Sequence, residues 1–515
     1  MSQPAQRTEW LPASLAVTAL IVAAAGLAVH AYVGLHGAYL SYISGVWLSL
    51  ATDLSSHGIL YRDLYSDLGY GGTRYFPFFF VTIAALLKGG FGPAAAGLAA
   101  ASISIAVLAA AVYRIARVAG APVLTAGVFA AASALPYFTL QAAFEVRADV
   151  MAAGLNLLGV ALVLPAWTTT DRARNPWAAV IAFLLAFATK VTSLAIPAAI
   201  VLLAFGAGKR RLATILAVSL AACAASFLVL IQVLSAGRAW PVLSAVMFAG
   251  SDSAGTVRSA LSGGFLPGLF NSHLVVVVTV VALLTLVVGT FFRERSAQNA
   301  VIPLSVPWAL WIAGTAALGL TLSSPGTVPA NQVVEWLALS MIVPALVSSS
   351  RPRARRAFAV VAGAMTMWMA AQNVARAVEH AQAITAESGA ARRAFVERVR
   401  AFDAPVFSES ALWPILAGRE VILPDPFAAR VVFGAHLEIQ ARLLGEIEAQ
   451  RYQAIVLEFD PSSKEGESMY GFAHLGPRVI AAIRSKYRVE LNAPGLGVIY
   501  VPVALERSVD TRRGY

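Results

Sequence analysis

The chain has 515 residues, of which 58% are hydrophobic and 13% charged, whereas a typical soluble domain is roughly 25% charged. This composition excludes an ordinary soluble enzyme and favours a membrane protein. The formal net charge of +11 does not indicate nucleic-acid binding, because after residue 374 the 17 Lys and Arg are balanced by 17 Asp and Glu. The single cysteine, Cys223, excludes an intrachain disulfide.

Apolar runs of about 20 residues recur up to residue 374, and each is long enough to cross the hydrocarbon core of a bilayer. They predict a polytopic α-helical membrane domain over residues 1–374. The first run lacks the features of a cleaved signal peptide, so we predict that it is retained. The eleven predicted spans are 11–34, 93–113, 121–138, 150–167, 177–189, 191–207, 212–234, 273–292, 302–321, 332–349 and 357–374.

The distribution of basic residues predicts the orientation of these spans. With the N-terminus inside, the inner loops hold 14 Lys and Arg and the outer loops hold 7, as the positive-inside rule requires. The count depends on a turn at Thr189–Lys190 that separates two spans. A single long helix there would reverse every later span, so the charge balance favours the turn.

The first outer loop, residues 35–92, is predicted to be more than a linker. Residues 42–55 have helical periodicity, and the sequence HGILYRDLYSDLGYGGTRYFPFFF follows. Aromatic residues alternate there with Asp53, Asp63 and Arg74. This pattern is typical of helices that lie in the membrane interface, with aromatic rings at the level of the lipid headgroups.

A dense charge cluster lies where the third and fourth spans meet. Glu145, Arg147 and Asp149 fall in FEVRADV, and ionised groups inside a bilayer cost at least a few kcal/mol, so they indicate a functional site. A carboxylate there can act as general base on a hydroxyl, and an Arg fork can bind a phosphate. The structural alternative is an ion pair that stabilises a helix end.

Further polar groups fall at the predicted outer ends of later spans. They are Lys190, which can hold a phosphate as a point charge, and Asn331 with Glu335. The predicted topology puts all of these groups at one membrane face. The structural alternatives are a lysine that extends to the interface and a capping interaction between Asn331 and Glu335.

From residue 375 the composition changes. The segments PVFSE, REVILP, YQAIVLEF and GVIYVPV predict strands from their β-branched content and flanking turns. The segments ALWPILAG, ARLLGEIEAQ and LGPRVIAAIRSKY predict helices. Strands that alternate with helices predict a small extracytoplasmic α/β domain over residues 375–515.

The segments HGILYRDLYSDLGYGGTRYFPF, FEVRADV and AFATKVTSL, in this order, resemble the polyprenyl-phosphate-sugar-dependent glycosyltransferases of the GT-C superfamily. The nearest group is the bacterial glycosyltransferase family 39, which is protein mannosyltransferase- and aminoarabinose transferase-like. The tail segments LWPILAGREVILPDPF and GVIYVPV are similar to the small extracytoplasmic domain of many bacterial members. The resemblance implies an enzyme of the bacterial inner membrane with its C-terminal domain on the outer side.

The resemblance also implies a mechanism. A carboxylate deprotonates an acceptor hydroxyl, which displaces polyprenyl phosphate with inversion, while basic residues stabilise the departing phosphate. The implied partners are a polyprenyl-phosphate-linked sugar, membrane lipid, and a lipid, polysaccharide or protein acceptor. No nucleic acid or cofactor is expected; the sequence indicates no metal and leaves a divalent metal open. The candidate catalytic residues are Asp149, Asp53 and Asp63. The candidate substrate-binding residues are Tyr61, Arg62, Arg74, Tyr75, Glu145, Arg147, Lys190, Asn331 and Glu335.

One position departs from the family pattern. Members generally keep an acidic residue just after the first span, where this chain has Ile43 and Ser44. Either Asp53 or Asp63 has taken its role, or Asp149 carries it, or the activity has been lost. A catalytically inactive scaffold and a lipid-carrier transporter or flippase are therefore the alternative hypotheses. Transporters often show repeat symmetry and Gly- or Pro-broken spans at corresponding positions, and the sequence shows neither.

Overall fold

A computed structural model describes residues 11–37, 39–168, 176–247, 305–322, 329–350, 352–383, 386–472 and 474–503. Packing divides the chain into two units. Unit 1 comprises Met1–His36, Leu98–Phe227 and Ser253–His380. Unit 2 comprises Gly37–Gly97, Leu228–Asp252 and Ala381–Tyr515. The first outer loop therefore belongs to the same unit as the C-terminal residues, while the predicted boundary at residue 374 stays a prediction.

Most of the described chain is helical. Up to residue 247 the elements are α1 (Ala13–Leu35), α2 (Tyr42–His57), β1 (Tyr65–Ser66), β2 (Gly69–Tyr70), α3 (Phe78–Lys88), α4 (Pro93–Val118), α5 (Val123–Ala134), α6 (Tyr137–Phe144), α7 (Asp149–Val163), α8 (Pro165–Thr168), α9 (Trp177–Thr189), α10 (Ala195–Gly206), α11 (Arg210–Leu234) and α12 (Ala239–Met247). After residue 304 they continue as α13 (Ser305–Leu322), α14 (Pro329–Ser350) and α15 (Pro352–Ala383).

Within the described residues, four helices are long and apolar enough to cross a membrane: α1, α4, α11 and Arg356–Gln382 of α15. Helices α5 and α6 make a fifth candidate if they count as one span, bent by 66°; Pro136 lies at the bend and has no N–H to continue a helix. The protein is thus a helical integral membrane protein. The count of eleven spans stays a prediction, since span 273–292 lies outside the described residues and several others correspond to shorter helices.

Small residues allow the helices of unit 1 to pack closely. A Cβ atom on Gly154 of α7 would lie 2.8 Å from the backbone nitrogen of Leu108 in α4. A Cβ atom on Gly159 would lie 2.4 Å from the ring of Phe183 in α9. Such glycines let helices approach closely where lipid gives no hydrophobic driving force between them.

The helical conformation is interrupted at Lys190, where the sequence predicted a turn. Helix α9 ends at Thr189, and Lys190 has an extended backbone with φ −149° and ψ 120°. A single 3₁₀ turn, Val191–Leu194, then leads into α10. This break puts the Lys190 side chain at the end of an apolar helix.

In the first outer loop, the predicted helix at 42–55 corresponds to α2. Its first turn is closed by a capping box, in which the Ser44 hydroxyl accepts from the Ser41 N–H at 3.1 Å. Ser44, one of the two residues where the sequence resemblance led us to expect an acid, therefore acts as a capping residue. The ring of Trp47 packs 4.3 Å from the ring of Tyr75, which holds the helix against the end of the loop.

The C-terminal residues of unit 2 form a four-stranded sheet of order β3-β4-β6-β5. Strands β3 and β4 are parallel, and the other two pairs are antiparallel. The elements are α16 (Ala386–Arg400), β3 (Val406–Ser408), α17 (Leu412–Ala417), α18 (Pro426–Ala435), α19 (Leu437–Glu448), β4 (Ala454–Leu457), α20 (Lys464–Phe472), α21 (Pro477–Lys486), β5 (Tyr487–Ala493) and β6 (Gly497–Pro502). The strands predicted in PVFSE, YQAIVLEF and GVIYVPV are present.

One strand prediction was wrong, and one strand was missed. REVILP is not a strand, because its carbonyls bond to the first outer loop instead of a neighbouring strand: Val421 O accepts from Arg62 at 2.7 Å and Ile422 O from the Tyr70 N–H at 2.9 Å. The edge strand β5 was missed. It directly follows the helix at Lys486 without an intervening turn signal.

Candidate functional site

A strained turn connects α6 to α7 and carries the charge cluster of FEVRADV. Helix α6 ends with the Val146 N–H bonded to Ala143 O and the Arg147 N–H bonded to Ala142 O, each at 2.9 Å. This is a Schellman arrangement, in which glycine normally occupies the left-handed position. Here Val146 occupies it with φ +57°. A β-branched residue in this conformation is a genuine outlier, and such strain concentrates at functional sites.

The charged side chains around this turn form two ion pairs. Arg147 pairs with Glu145, whose carboxylate also accepts from the Gln141 amide at 2.9 Å. Asp149, the first residue of α7, accepts from the Lys190 ammonium at 2.6 Å. The structure therefore brings Asp149 and Lys190 together, as two of the predicted site residues.

Glu335 also belongs to this polar group, and it is bonded to Asn156, which was not predicted from the sequence. Asn156 lies two turns after Asp149 on α7. Its amide donates to Glu335 Oε1 at 2.5 Å and to Ser193 O at 3.0 Å. Lys190 and Asp149 are both near enough to Glu335 to interact with it electrostatically. The sequence could have indicated Asn156 by its spacing, because a residue seven positions after Asp149 lies on the same face of a helix.

This group of unit 1 contains two carboxylates, Asp149 and Glu335, and one ammonium, Lys190. It lies among apolar helices, where an uncompensated charge is costly. Such a group can hold a further proton or cationic atom and can orient an ammonium toward an anionic substrate. Asn331 belongs to α14, but its side chain lies outside the described part of the chain.

In unit 2, Asp53 and Arg62 form a buried ion pair. Arg62 Nη2 donates to Asp53 Oδ1 at 2.5 Å, and Arg62 Nη1 donates to Leu68 O at 2.9 Å and Val421 O at 2.7 Å. Asp53 is only 4% exposed. Burial raises the pKa of Asp53, and the charge of Arg62 opposes that rise. Its second oxygen, Oδ2, is buried and makes no hydrogen bond among the described residues.

The other first-loop candidates have different surroundings. Tyr61 is buried and donates to Tyr75 O at 3.3 Å, so burial raises the pKa of Tyr61. The Arg74 guanidinium lies 5.8 Å from the centre of the Tyr75 ring and within electrostatic range of Asp425. Asp63 has a side chain that is 55% exposed, with its nearest cation, Arg238, at 3.9 Å. Asp63 is thus not part of the buried pair.

A further buried group, missed from the sequence, lies at the carboxyl ends of the parallel strands β3 and β4. Glu409 pairs with His474 and accepts from the Tyr470 hydroxyl at 2.6 Å and from the Glu458 N–H at 2.9 Å. Burial and the charge of Glu409 raise the pKa of Glu458 to about 8. No group of three His, Cys, Asp or Glu side chains in the described ranges is arranged to hold a metal ion.

No protein-family model and no curated protein matches the chain. Among solved structures, it is similar to ArnT from Cupriavidus metallidurans bound to undecaprenyl phosphate, with TM-score 0.57 and 13% identity over 94% of this chain and 98% of ArnT. The apo state of ArnT from this organism gives TM-score 0.55 and 15% identity over 94% and 99%. The archaeal oligosaccharyltransferase AglB from Archaeoglobus fulgidus, in complex with an inhibitory peptide and a dolichol-phosphate, gives TM-score 0.44 and 13% identity over 93% and 74%. The likeness to ArnT extends over nearly all of both chains and confirms the GT-C fold predicted from the sequence.

Proposed function

We propose that this protein transfers a sugar from a polyprenyl-phosphate donor to an acceptor hydroxyl at the outer face of a bacterial inner membrane. The observation that carries the proposal is the fold shared with ArnT, whose structure contains bound undecaprenyl phosphate. Each unit, taken by itself, carries charged groups of the kinds that this reaction needs. They are a base for the hydroxyl and cations for the departing phosphate.

Asp53 is the proposed general base. Arg62 holds one of its oxygens, and the other has no hydrogen-bond partner among the described residues. A carboxylate whose pKa is raised by burial accepts a proton more readily near neutral pH. Asp149 is the competing candidate, and one of its oxygens, Oδ1, is likewise held by a cation, the Lys190 ammonium, at 2.6 Å.

Lys190 is the proposed contact for the donor phosphate. Its side chain is 23% exposed, and Asp149 orients its ammonium. The reaction is a single displacement in which the acceptor oxygen bonds to the anomeric carbon while the bond from that carbon to the phosphate oxygen breaks. The hydroxyl proton passes to Asp53, and polyprenyl phosphate leaves with the bonding electrons. This single displacement inverts the configuration of the anomeric carbon.

The test is sugar transfer by the purified full-length protein and its variants, using labelled polyprenyl-phosphate sugars and a bacterial lipid extract as acceptor. We expect Asp53→Asn to lower kcat by about 10²- to 10⁴-fold, the usual contribution of a general base. We expect Lys190→Ala to raise the donor KM more than it lowers kcat. Asp67→Asn is the matched control, because Asp67 is exposed in the turn between β1 and β2.

Two results would contradict these assignments. Full activity of Asp53→Asn together with loss of activity in Asp149→Asn would move the base to Asp149. Absence of transfer by the wild-type protein from every polyprenyl-phosphate sugar tested would favour the inactive scaffold. Retention of fold in each variant is checked by its thermal melting in detergent.

A further inference from the structure

One carboxylate in α19 collects three tyrosine hydroxyls. Tyr65 donates to Glu446 Oε1 at 3.0 Å, and Tyr70 and Tyr452 donate to Oε2 at 2.7 and 2.5 Å. Arg451 adds a contact to Oε1 at 2.8 Å. Burial alone would raise the pKa of Glu446, but the three hydroxyls and Arg451 together lower it. Glu446 is therefore an ionised acceptor whose hydrogen bonds are of the strong, charge-assisted kind.

Two of the three tyrosines belong to the short hairpin of β1 and β2 in the first outer loop. Their rings contact each other in an edge arrangement with centroids 5.2 Å apart. Tyr70 is almost fully buried, with its ring 5.8 Å from that of Phe433. Its N–H also donates to Ile422 O at 2.9 Å. The hairpin is thus held by its side chains at Glu446 and by its backbone at residue 422.

The same hairpin holds the Arg62 side chain. The turn between β1 and β2 includes Leu68, whose carbonyl accepts from Arg62 Nη1 at 2.9 Å. Arg62 in turn bonds to Asp53 Oδ1. Hydrogen bonds therefore connect Glu446 through the hairpin to Arg62 and Asp53.

We propose that Glu446 is a positioning residue that holds Asp53 in place through the Tyr65–Tyr70 hairpin and Arg62. The two-stranded hairpin cannot do this alone, because an isolated hairpin of this length is not stable in water. The proposal deepens the proposed function, and only its activity measurement rests on that function. The positions of the hairpin and of Asp53 can be measured without any substrate.

The test uses Glu446→Gln, which keeps the size of the side chain and removes its charge. Glu448→Gln is the matched control, since Glu448 lies on the same helix but is exposed. Amide hydrogen exchange is measured at the Tyr70 N–H, bonded to Ile422 O, and at the Gly71 N–H, bonded to Leu64 O. We expect both amides to exchange about tenfold faster in Glu446→Gln, the effect of losing a hydrogen bond to a charged group, and to be unchanged in Glu448→Gln.

Carbodiimide labelling read by mass spectrometry then measures the accessibility of Asp53. We expect about tenfold more labelling of Asp53 in Glu446→Gln than in wild type, because the Arg62 contact that shields it loosens. In the transfer assay we expect kcat to fall about tenfold with the donor KM within twofold, and Glu446→Asp to recover part of that loss. A merely structural defect would change expression and melting without this division between kcat and KM.

Two outcomes would overturn the proposal. Equal amide exchange in Glu446→Gln and Glu448→Gln would show that the carboxylate does not hold the hairpin. Faster exchange with unchanged labelling of Asp53 would show that the hairpin does not hold the acid. If the wild-type protein transfers no sugar, the proposed function fails, and the exchange and labelling results still decide whether Glu446 positions Asp53.

Discussion

At the residue scale, the polar side chains of unit 1 pair with partners that lie far away along the chain. Asp149 and Lys190 were predicted because ionised residues are rare near spans, and the structure bonds them to each other across 41 positions. Asn156 and Glu335 are 179 positions apart. No local pattern encodes such a pair, since it depends on how α7 packs against α14. The polar partner Asn156 was missed because it carries no charge.

The buried carboxylate of Glu458 makes a pH-dependent prediction. Burial raises its pKa in the folded state to about 8, above the ordinary glutamate value of 4.5, so between these pH values the folded state binds a proton that the unfolded state has released. The contribution of Glu458 to stability therefore falls as the pH rises from about 4.5 to 8. We expect the melting temperature of the purified protein to drop by about 5 °C over this range, on the usual scale of a few degrees per kcal/mol.

Glu458→Gln is the variant that isolates this contribution. Gln cannot ionise, so we expect its melting temperature to depend less on pH than that of the wild type. Glu409, which raises the pKa of Glu458, and Arg392, which opposes that rise, face the same group and remain in place. A wild-type melting temperature that stays constant or rises between pH 5 and 8 would contradict the assignment.

At the element scale, periodicity and β-branched content predicted most helices and three of the four sheet strands. The strand prediction for REVILP was wrong because β-branched content indicates only that a segment can pack on a half-buried sheet surface. It does not show whether a neighbouring strand is there to pair with the segment. Its Val421 and Ile422 carbonyls bond there to residues more than 350 positions earlier. Segments whose partners lie that far away are the ones that local pattern cannot assign.

Close packing of α4 against α7 makes a prediction at the same scale. Gly154→Ala would place a Cβ 2.8 Å from the backbone nitrogen of Leu108, and the backbone cannot move aside cheaply. We expect a loss of about 1–3 kcal/mol, the usual cost of overpacking, measured as reduced melting temperature in detergent. Gly206→Ala in α10 is the control, because no atom lies within 4 Å of its added Cβ. Equal melting temperatures for the two variants would contradict this packing.

At the scale of the whole molecule, composition alone predicted a helical membrane protein, and the similarity to ArnT confirms the GT-C fold. The grouping of the first outer loop with the C-terminal residues in unit 2 was not predicted. That grouping depends on contacts such as the bond from Arg62 to Val421, 359 positions away. A domain boundary predicted from composition divides the chain into consecutive segments, whereas each unit of this fold is built from three separate stretches of the chain.

The proposed activity of this protein is transfer of a sugar from a polyprenyl-phosphate carrier with inversion. The most direct measurement is incubation of the purified wild-type protein with a labelled polyprenyl-phosphate sugar and lipid extract, with both products quantified by mass spectrometry. We predict one free polyprenyl phosphate for each sugar transferred, with the anomeric configuration of the sugar inverted. Release of polyprenyl phosphate without a glycosylated acceptor, or transfer with retained configuration, would contradict the account.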